Sequence, residues 1–359
     1  MMESILEYVS GSNLEVKLAF YMGLATLLVT VSLIIAISVL RVRLIMEEKG
    51  NDRFIAQWRP IIARAVAGEP IGGIILPPIG RRDRLMFLRL WNHYHEFLKG
   101  EASKNLNDML RTTGMDAVAR QWLSSRNRIK RFTAVMAVGR LGDKTCWEEL
   151  KRLASYADPT LSLMAAGSMA LMDAAGTPPI IVPLIVSRED WPANKVMDML
   201  SKTDRTAISA PLIHAILNSE GKEVLRLVPF LSLVNQWLVW PVIMALLERS
   251  QDPEMISACL KIAGDPAVLG MARSYLDHPA WHVRAQAAAV LGRVGIEDDA
   301  LRLIKMLSDK EWWVRYRAAH ALTQMPSMKP ANLKKLIQET TDKYAGDIVS
   351  HVMAEKKLA

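Results

Sequence analysis

Seven histidines, two cysteines and one run of acids are the residues of this 359-residue chain best suited to chemistry. In WNHYHEF, His93 and His95 stand two apart, so a helix turns them to different faces; only His93 and Glu96 share one. His278 and His282 have the spacing of paired metal ligands, but Pro279 between them sets His278 in a turn. Zinc needs three or four converging ligands, and no second group of Cys, His or carboxylate accompanies either pair. The histidines read as solvated or hydrogen-bonded side chains. Cys146 and Cys259 form no CxxC and read as small core residues in a reducing compartment. Glu297, Asp298 and Asp299 suit the first turn of a helix, where negative charge is favoured. There is no GxxxxGKS/T, GxSxG, HExxH or dinucleotide fingerprint. VGRLG and LGRVG recur at a fixed spacing and read as helix ends. No catalytic residue, cofactor, metal or small-molecule substrate is expected.

The elements that carry these residues begin with LAFYMGLATLLVTVSLIIAISVL, residues 18–40, which holds no charge. As a helix it reaches about 35 Å, enough to cross a ~30 Å hydrocarbon layer. This stretch accounts for much of the mean hydropathy of +0.12. A cleaved leader wants a basic start and a shorter apolar run, whereas Glu3, Glu7 and Glu15 precede this one against Lys17 alone. It reads as a permanent transmembrane helix. Residues 41–140 then hold nineteen bases against nine acids, while residues 141–359 hold 25 of each. Positive charge just past a span marks the cytoplasmic side, so residues 1–17 are expected outside and everything after Arg41 inside. Arg41, Arg43, Lys49, Arg53, Arg59 and Arg64 form a basic flank suited to anionic lipid headgroups, at about 1 kcal/mol for each base near the surface. The balanced charge beyond residue 140 lacks the basic face that nucleic acid requires.

After the span, residues 41–80 read as a basic membrane-proximal helix, with Gly50 and Pro60 as possible breaks, followed by the Gly/Pro-rich linker GEPIGGIILPPIG. Residues 81–123 read as a helical lead-in. One helix ends near Gly100; the next opens at Ser103 as N-cap and stops at Gly114. A shift of 31 lays LDHPAWHVRAQAAAVL (276–291) on LSDKEWWVRYRAAHAL (307–322). A shift of 153 lays RFTAVMAVGRLG (131–142) on RAQAAAVLGRVG (284–295). A shift of 120 sets Asp158-Pro159, Leu163 and Leu171 on His278-Pro279, Val283 and Leu291. Short helical hairpins of this kind cannot bury their apolar stripes alone and must stack. Residues 124–345 are therefore expected to form an all-α repeat solenoid, with 346–359 as a C-terminal tail.

Asp309-x-x-Trp312-x-Val314-Arg315-x-x-Ala318-x-x-Ala321-Leu322 resembles the HEAT repeat, in its short bilin-lyase-type HEAT-like form. The resemblance is strongest over 276–325, weaker over 125–172 and weakest across 176–262. It implies a curved α-solenoid in which Asp309, Arg284 and Arg315 make ladders between repeats; His278 stands where the pattern expects Asp. Trp281 and Trp312 recur one repeat apart and are assigned to packing. Trp313, Tyr316, Arg317, His320 and Gln324 share the other stripe of the last full repeat, where the preceding one has His282, Ala285, Gln286, Ala289 and Arg293. They are candidate partner-binding residues, since Trp, Tyr and Arg anchor interfaces, unless they merely cover the helix LKKLIQET. The expected function is a membrane-anchored scaffold or adaptor for a membrane-associated protein, in an assembly such as polysaccharide synthesis or secretion. A lyase-type HEAT-like enzyme and a nucleic-acid-binding HEAT protein are the alternatives.

Overall fold

A computed structural model describes residues 14–69, 73 and 75–358. Residues 1–13 of the expected outer segment, linker residues 70–72 and 74, and the side chains of Arg43 and Lys49 lie outside the described residues. The chain divides between Gln121 and Trp122 into two compact units, and among the described residues it is helical throughout, without strands.

In the first unit, α1 (Leu14–Val66) is one uninterrupted helix of 53 residues. The expected breaks do not occur. Gly50 costs only about 1 kcal/mol relative to alanine, and the carbonyl that Pro60 leaves unbonded belongs to Ala56, which is exposed to water. Residues Tyr21–Val42 are long and apolar enough to cross a membrane, and none of them is buried. Farther along, Trp58, Ile62 and Ala65 form a buried stripe. The Trp58 ring meets Phe87 edge-on at 4.7 Å, from α2 (Arg84–Phe97). Then α3 (Glu101–Thr112) packs on α1, and the Trp91 indole N–H donates to the Leu106 carbonyl at 2.8 Å. Gly100 is the N-cap of α3, one turn earlier than the expected Ser103. Ser103 instead sits in the first turn with its hydroxyl 3.0 Å from His95 Nε2, which also lies 3.0 Å from Asn107 Oδ1. The stop at Gly114 is real, with φ +68. The boundary falls just before the last residue of α4 (Met115–Trp122).

The second unit is a two-layer stack. One layer holds α5 (Arg128–Leu141), α7 (Pro159–Met172), α9 (Ala193–Leu200), α11 (Gly221–Leu227), α13 (Pro253–Ile262), α15 (Trp281–Val294), α17 (Trp312–Leu322) and α19 (Lys343–Glu355). The other holds α6 (Trp147–Ala154), α8 (Pro178–Ser187), α10 (Arg205–Asn218), α12 (Gln236–Arg249), α14 (Leu269–Ser274), α16 (Asp299–Met306) and α18 (Pro330–Glu339). Starts within a layer fall 27–34 residues apart, so residues 176–262 are further hairpins of the same stack rather than an insertion. Residues 346–355, expected as a tail, belong to α19, which buries Ile348, Val349, Val352 and Met353 against the preceding hairpin.

Three local devices repeat. An acceptor side chain holds the start of many first-layer helices: Asn127, Asp158, Asp252 and Asp342 each cap a helix. Asp309 Oδ1 accepts from the Glu311 N–H, and His278 Nδ1 accepts from the Ala280 N–H at the matching place. An arginine then reaches the carbonyl six residues back: Arg131 to Ser125, Arg284 to His278 and Arg315 to Asp309, at 2.8, 2.9 and 2.7 Å. Other arginines staple successive hairpins by bonding carbonyls about one repeat earlier: Arg188 to Tyr156, Arg249 to Leu217 and Arg293 to Leu260.

Gly139 and Gly292, read in sequence as helix ends, lie inside helices where the next helix comes closest. A Cβ on Gly139 would meet Ser168 Cα at 2.8 Å, and one on Gly292 would meet Ala321 Cα at 2.7 Å. Gly142 is a true left-handed C-cap, with φ 70, while Gly295 ends α15 in extended conformation. The alignment of α7 on α15 also needs correction. Buried Leu161, Ala165, Ala166 and Met169 match buried Val283, Ala287, Ala288 and Leu291, a shift of 122 rather than 120. The Asp-Pro and His-Pro pairs misled, because Pro159 opens α7 whereas Pro279 precedes α15 by two residues. Leu163 and Leu171 therefore face away from the core, Leu171 being 52% exposed.

Candidate protein-interaction surface

Val314, Ala318, Ala321, Leu322 and Met325 are buried, so α17 turns toward the core the face its spacing predicts. The other stripe is divided. Tyr316 donates its hydroxyl to Glu355 Oε2 at 2.9 Å, and Lys356 Nζ donates to Thr323 Oγ1 at 2.8 Å. Tyr316 and His320 are thus half-covered by the end of α19, not by LKKLIQET, which lies in α18. Trp313, Arg317 and Gln324 remain exposed.

Trp281 and Trp312, assigned to packing, are each 43% exposed. Each is the first residue of its helix, and side chains at that position swing back over the preceding turn, away from the core. Trp312 stacks on Tyr316 with ring centres 5.3 Å apart and meets Trp313 edge-on at 4.7 Å. All the tryptophans of the stretch EWWVRY are therefore surface residues forming one aromatic cluster.

Burial and the neighbouring Lys356 and Arg317 cations hold His320 below the ordinary histidine value. The unfolded chain then binds the proton first, so His320 costs stability as pH falls below about 6.5. His320→Gln should remove that part of the acid loss, seen as a smaller drop in Tm between pH 7 and 5.

The ladder expected of Arg284 and Asp309 is present: a two-pronged pair at 2.8 Å on both arms, with side chains only 8% and 11% exposed. Arg315, by contrast, bonds turn carbonyls and lies over the Tyr344 ring. A second ladder was not legible in sequence. Asp299, read as a helix-start charge, is fully buried and accepts from Arg273 at 2.8 and 2.9 Å and from the Ile296 N–H at 3.0 Å. Burial opposes its ionisation, yet these donors hold its carboxyl below the usual range. These groups are structural. Cys146 and Cys259 are buried, and burial pushes the Cys259 thiol up to about 12, so it is inert at neutral pH. Among the described residues no three His, Cys, Asp or Glu side chains converge as metal ligands.

What the surface offers instead is a groove of about 550 Å³ over α5, α7 and α9. Its floor is Thr160, Leu163, Met164, Gly167 and Leu171 of α7. Those five positions are Trp313, Tyr316, Arg317, His320 and Gln324 shifted by 153 residues, or five hairpins, the same shift by which Gly139 and Gly292 coincide. The stripe singled out on α17 is thus one instance of a repeated face, and its apolar instance lies on α7. Met136 and Arg140 of α5 form one wall, Lys195 and Met199 of α9 the other. The available signal was composition: PTLSLMAAGSMALM contains no charge at all, although a helix with one open face should.

The HEAT repeat family model matches residues 240–323 and 274–351. Among solved structures, an engineered protein is 15% identical, with 76% of this chain and 84% of that chain covered and a TM-score of 0.33. A designed armadillo repeat protein is 13% identical, covering 74% of this chain and 98% of that one, with a TM-score of 0.23. No curated protein matches the chain.

Proposed function

We propose that this chain, which carries HEAT repeats over residues 240–351, is a membrane-anchored adaptor that holds a protein partner at the cytoplasmic face of the inner membrane. The observation that carries this reading is α1. One helix joins an uncovered 22-residue apolar stretch, Tyr21–Val42, to a packed base at Trp58, Ile62 and Ala65. Water around so long an exposed apolar helix is unfavourable, and a bilayer removes it. Stacked helical hairpins offer extended faces, which suits scaffolding, as in an accessory subunit of a polysaccharide-synthesis or secretion assembly.

The continuity of α1 refines the lipid contact. Along the axis, Arg53, Arg59 and Arg64 follow Val42 by about 16, 26 and 33 Å. Screening at physiological salt acts over about 8 Å. For an upright helix, headgroup attraction is therefore confined to Arg41 and the first two turns beyond the span, the stretch that holds Arg43 and Lys49. Exposed Arg53, Arg59 and Arg64 are left to face protein or solvent.

The test is topology and company. The protein should stay in the membrane through alkaline washing, and a reporter active only in the periplasm should be silent when fused after Ala359. Gentle extraction should recover a second membrane-associated protein in constant ratio. Release by alkali, an active reporter, or recovery of the chain alone would each overturn the reading.

A further inference from the structure

We infer that the groove over α5, α7 and α9 receives an amphipathic α-helix of the partner, with an acidic residue at the edge of its apolar stripe; this rests on the adaptor reading. The argument begins with α7. Its core side is satisfied by Leu161, Ala165, Ala166 and Met169, all essentially buried, and its outer side is still apolar. Leu163, Met164 and Leu171 recur there at helical spacing, and Leu171 is 52% exposed. On α15 the corresponding places hold His282, Ala285, Gln286, Ala289 and Arg293, so the fold itself does not require apolar residues on this face.

The dimensions suit a helix. The floor runs from Pro159 to Leu171, about 18 Å or three turns of an α-helix. Near its centre Gly167 has nothing within 4 Å of where a Cβ would stand, so a partner side chain has open space there. Helices α5 and α9 wall the groove on either side, and a helix can lie in a groove between others.

The rim assigns the charge. Asp190 is paired with Arg188 at 2.7 Å and Asp198 with Lys202 at 2.8 Å. Both rim carboxylates are thereby committed. Lys195 stands on the same wall, exposed, its ammonium in no ion pair or hydrogen bond among the described residues. The rim therefore presents an uncompensated cation, which favours an Asp or Glu beside the apolar stripe of the incoming helix.

The test uses the full-length protein in its native membrane with photoreactive benzoylphenylalanine placed at Leu163, at Leu171, at Trp313, or at the exposed Trp237 outside the groove. Both groove positions should label one segment of one protein, with attachments three or four residues apart and an Asp or Glu in that segment. Gly167→Leu, which fills the groove while raising helix propensity, should cut labelling at least about tenfold. Its Tm should stay within about 2 °C of the parent. Lys195→Glu should cut labelling about fivefold. Labelling of lipid, of a second copy, or of an extended segment would overturn the proposal, as would labelling that survives Gly167→Leu. If Trp313 or Trp237 labels a protein and the groove positions do not, the groove fails while the adaptor stands. If no position labels a protein, both fail.

Discussion

Asp309→Ala should destabilise the repeat unit by about 3–5 kcal/mol, the usual cost of removing one partner from a buried ion pair. For a unit of this size that is a fall in Tm of about 10 °C. The magnitude follows from what is left behind. Arg284 is 8% exposed and keeps its bonds to the carbonyls of His278 and Pro279, but its charge loses the one carboxylate bonded to it among the described residues. The start of α17 also loses the acceptor for the Glu311 N–H. Arg284→Met with Asp309→Leu should cost less than the single change, because an apolar pair leaves no buried charge. Arg315→Met should cost under about 1 kcal/mol, since Arg315 bonds carbonyls that water can reach. Acid gives a second readout. Burial works against the Asp309 carboxylate, but Arg284 and the Glu311 N–H outweigh it and hold its pKa below 3.8. That contribution is complete above the ordinary carboxylate value and is lost as pH falls through the lower folded one. Asp309→Ala should therefore flatten the acid limb of the Tm profile. An equal Tm for Asp309→Ala and parent would sink the ladder as a source of stability.

Gly292→Ala should destabilise by about 2 kcal/mol, against the sign that helix propensity alone predicts. In an open helix alanine gains up to about 1 kcal/mol over glycine. At Gly292 the new methyl would stand 2.7 Å from both Cα and Cβ of Ala321, so α15 and α17 must separate. Overpacking of this kind costs about 1–3 kcal/mol, and backbone cannot step aside as a flexible side chain can. Gly139→Ala should behave alike, because Ser168 Cα lies 2.8 Å from its Cβ position and separation would strain the Ser168 bond to the Val135 carbonyl. Gly167→Ala is the control, gaining stability in open space. Thermal melts of the three variants decide the matter: loss, loss and gain are expected, and a gain at Gly292 would show that the close approach is not limiting.

These two results bear on the same question as the aromatic cluster at the start of α17. There, one stretch of sequence carried both a repeat signature and a surface feature. Val314, Ala318, Ala321 and Leu322 are buried, as the 3.6-residue period requires. Trp312 recurs at Trp281 and looked like packing for that reason, yet recurrence reports only equivalent places in the fold. Trp281 and Trp312 occupy the same place, the first residue of a helix, and each is 43% exposed.

What the sequence determined by itself was periodic and local. The repeat of 31 residues, the core face of α15 and α17 and the uncharged helix at 18–40 follow from spacing, because neighbours in a stacked helix array are set by a nearly constant offset; a ladder role for Asp309, Arg284 and Arg315 came only with the HEAT resemblance, and the structure pairs Arg284 with Asp309. What only the tertiary structure decided was approach and cover. Asp299 finds Arg273 across 26 residues, Gly292 finds Ala321, α19 comes to lie on Tyr316, and the outer face of α7 is left open among the described residues. Each of those outcomes depends on how close two helices pass and where the next one ends. A two-residue slip was enough to hide Leu163 and Leu171 in a core they do not enter.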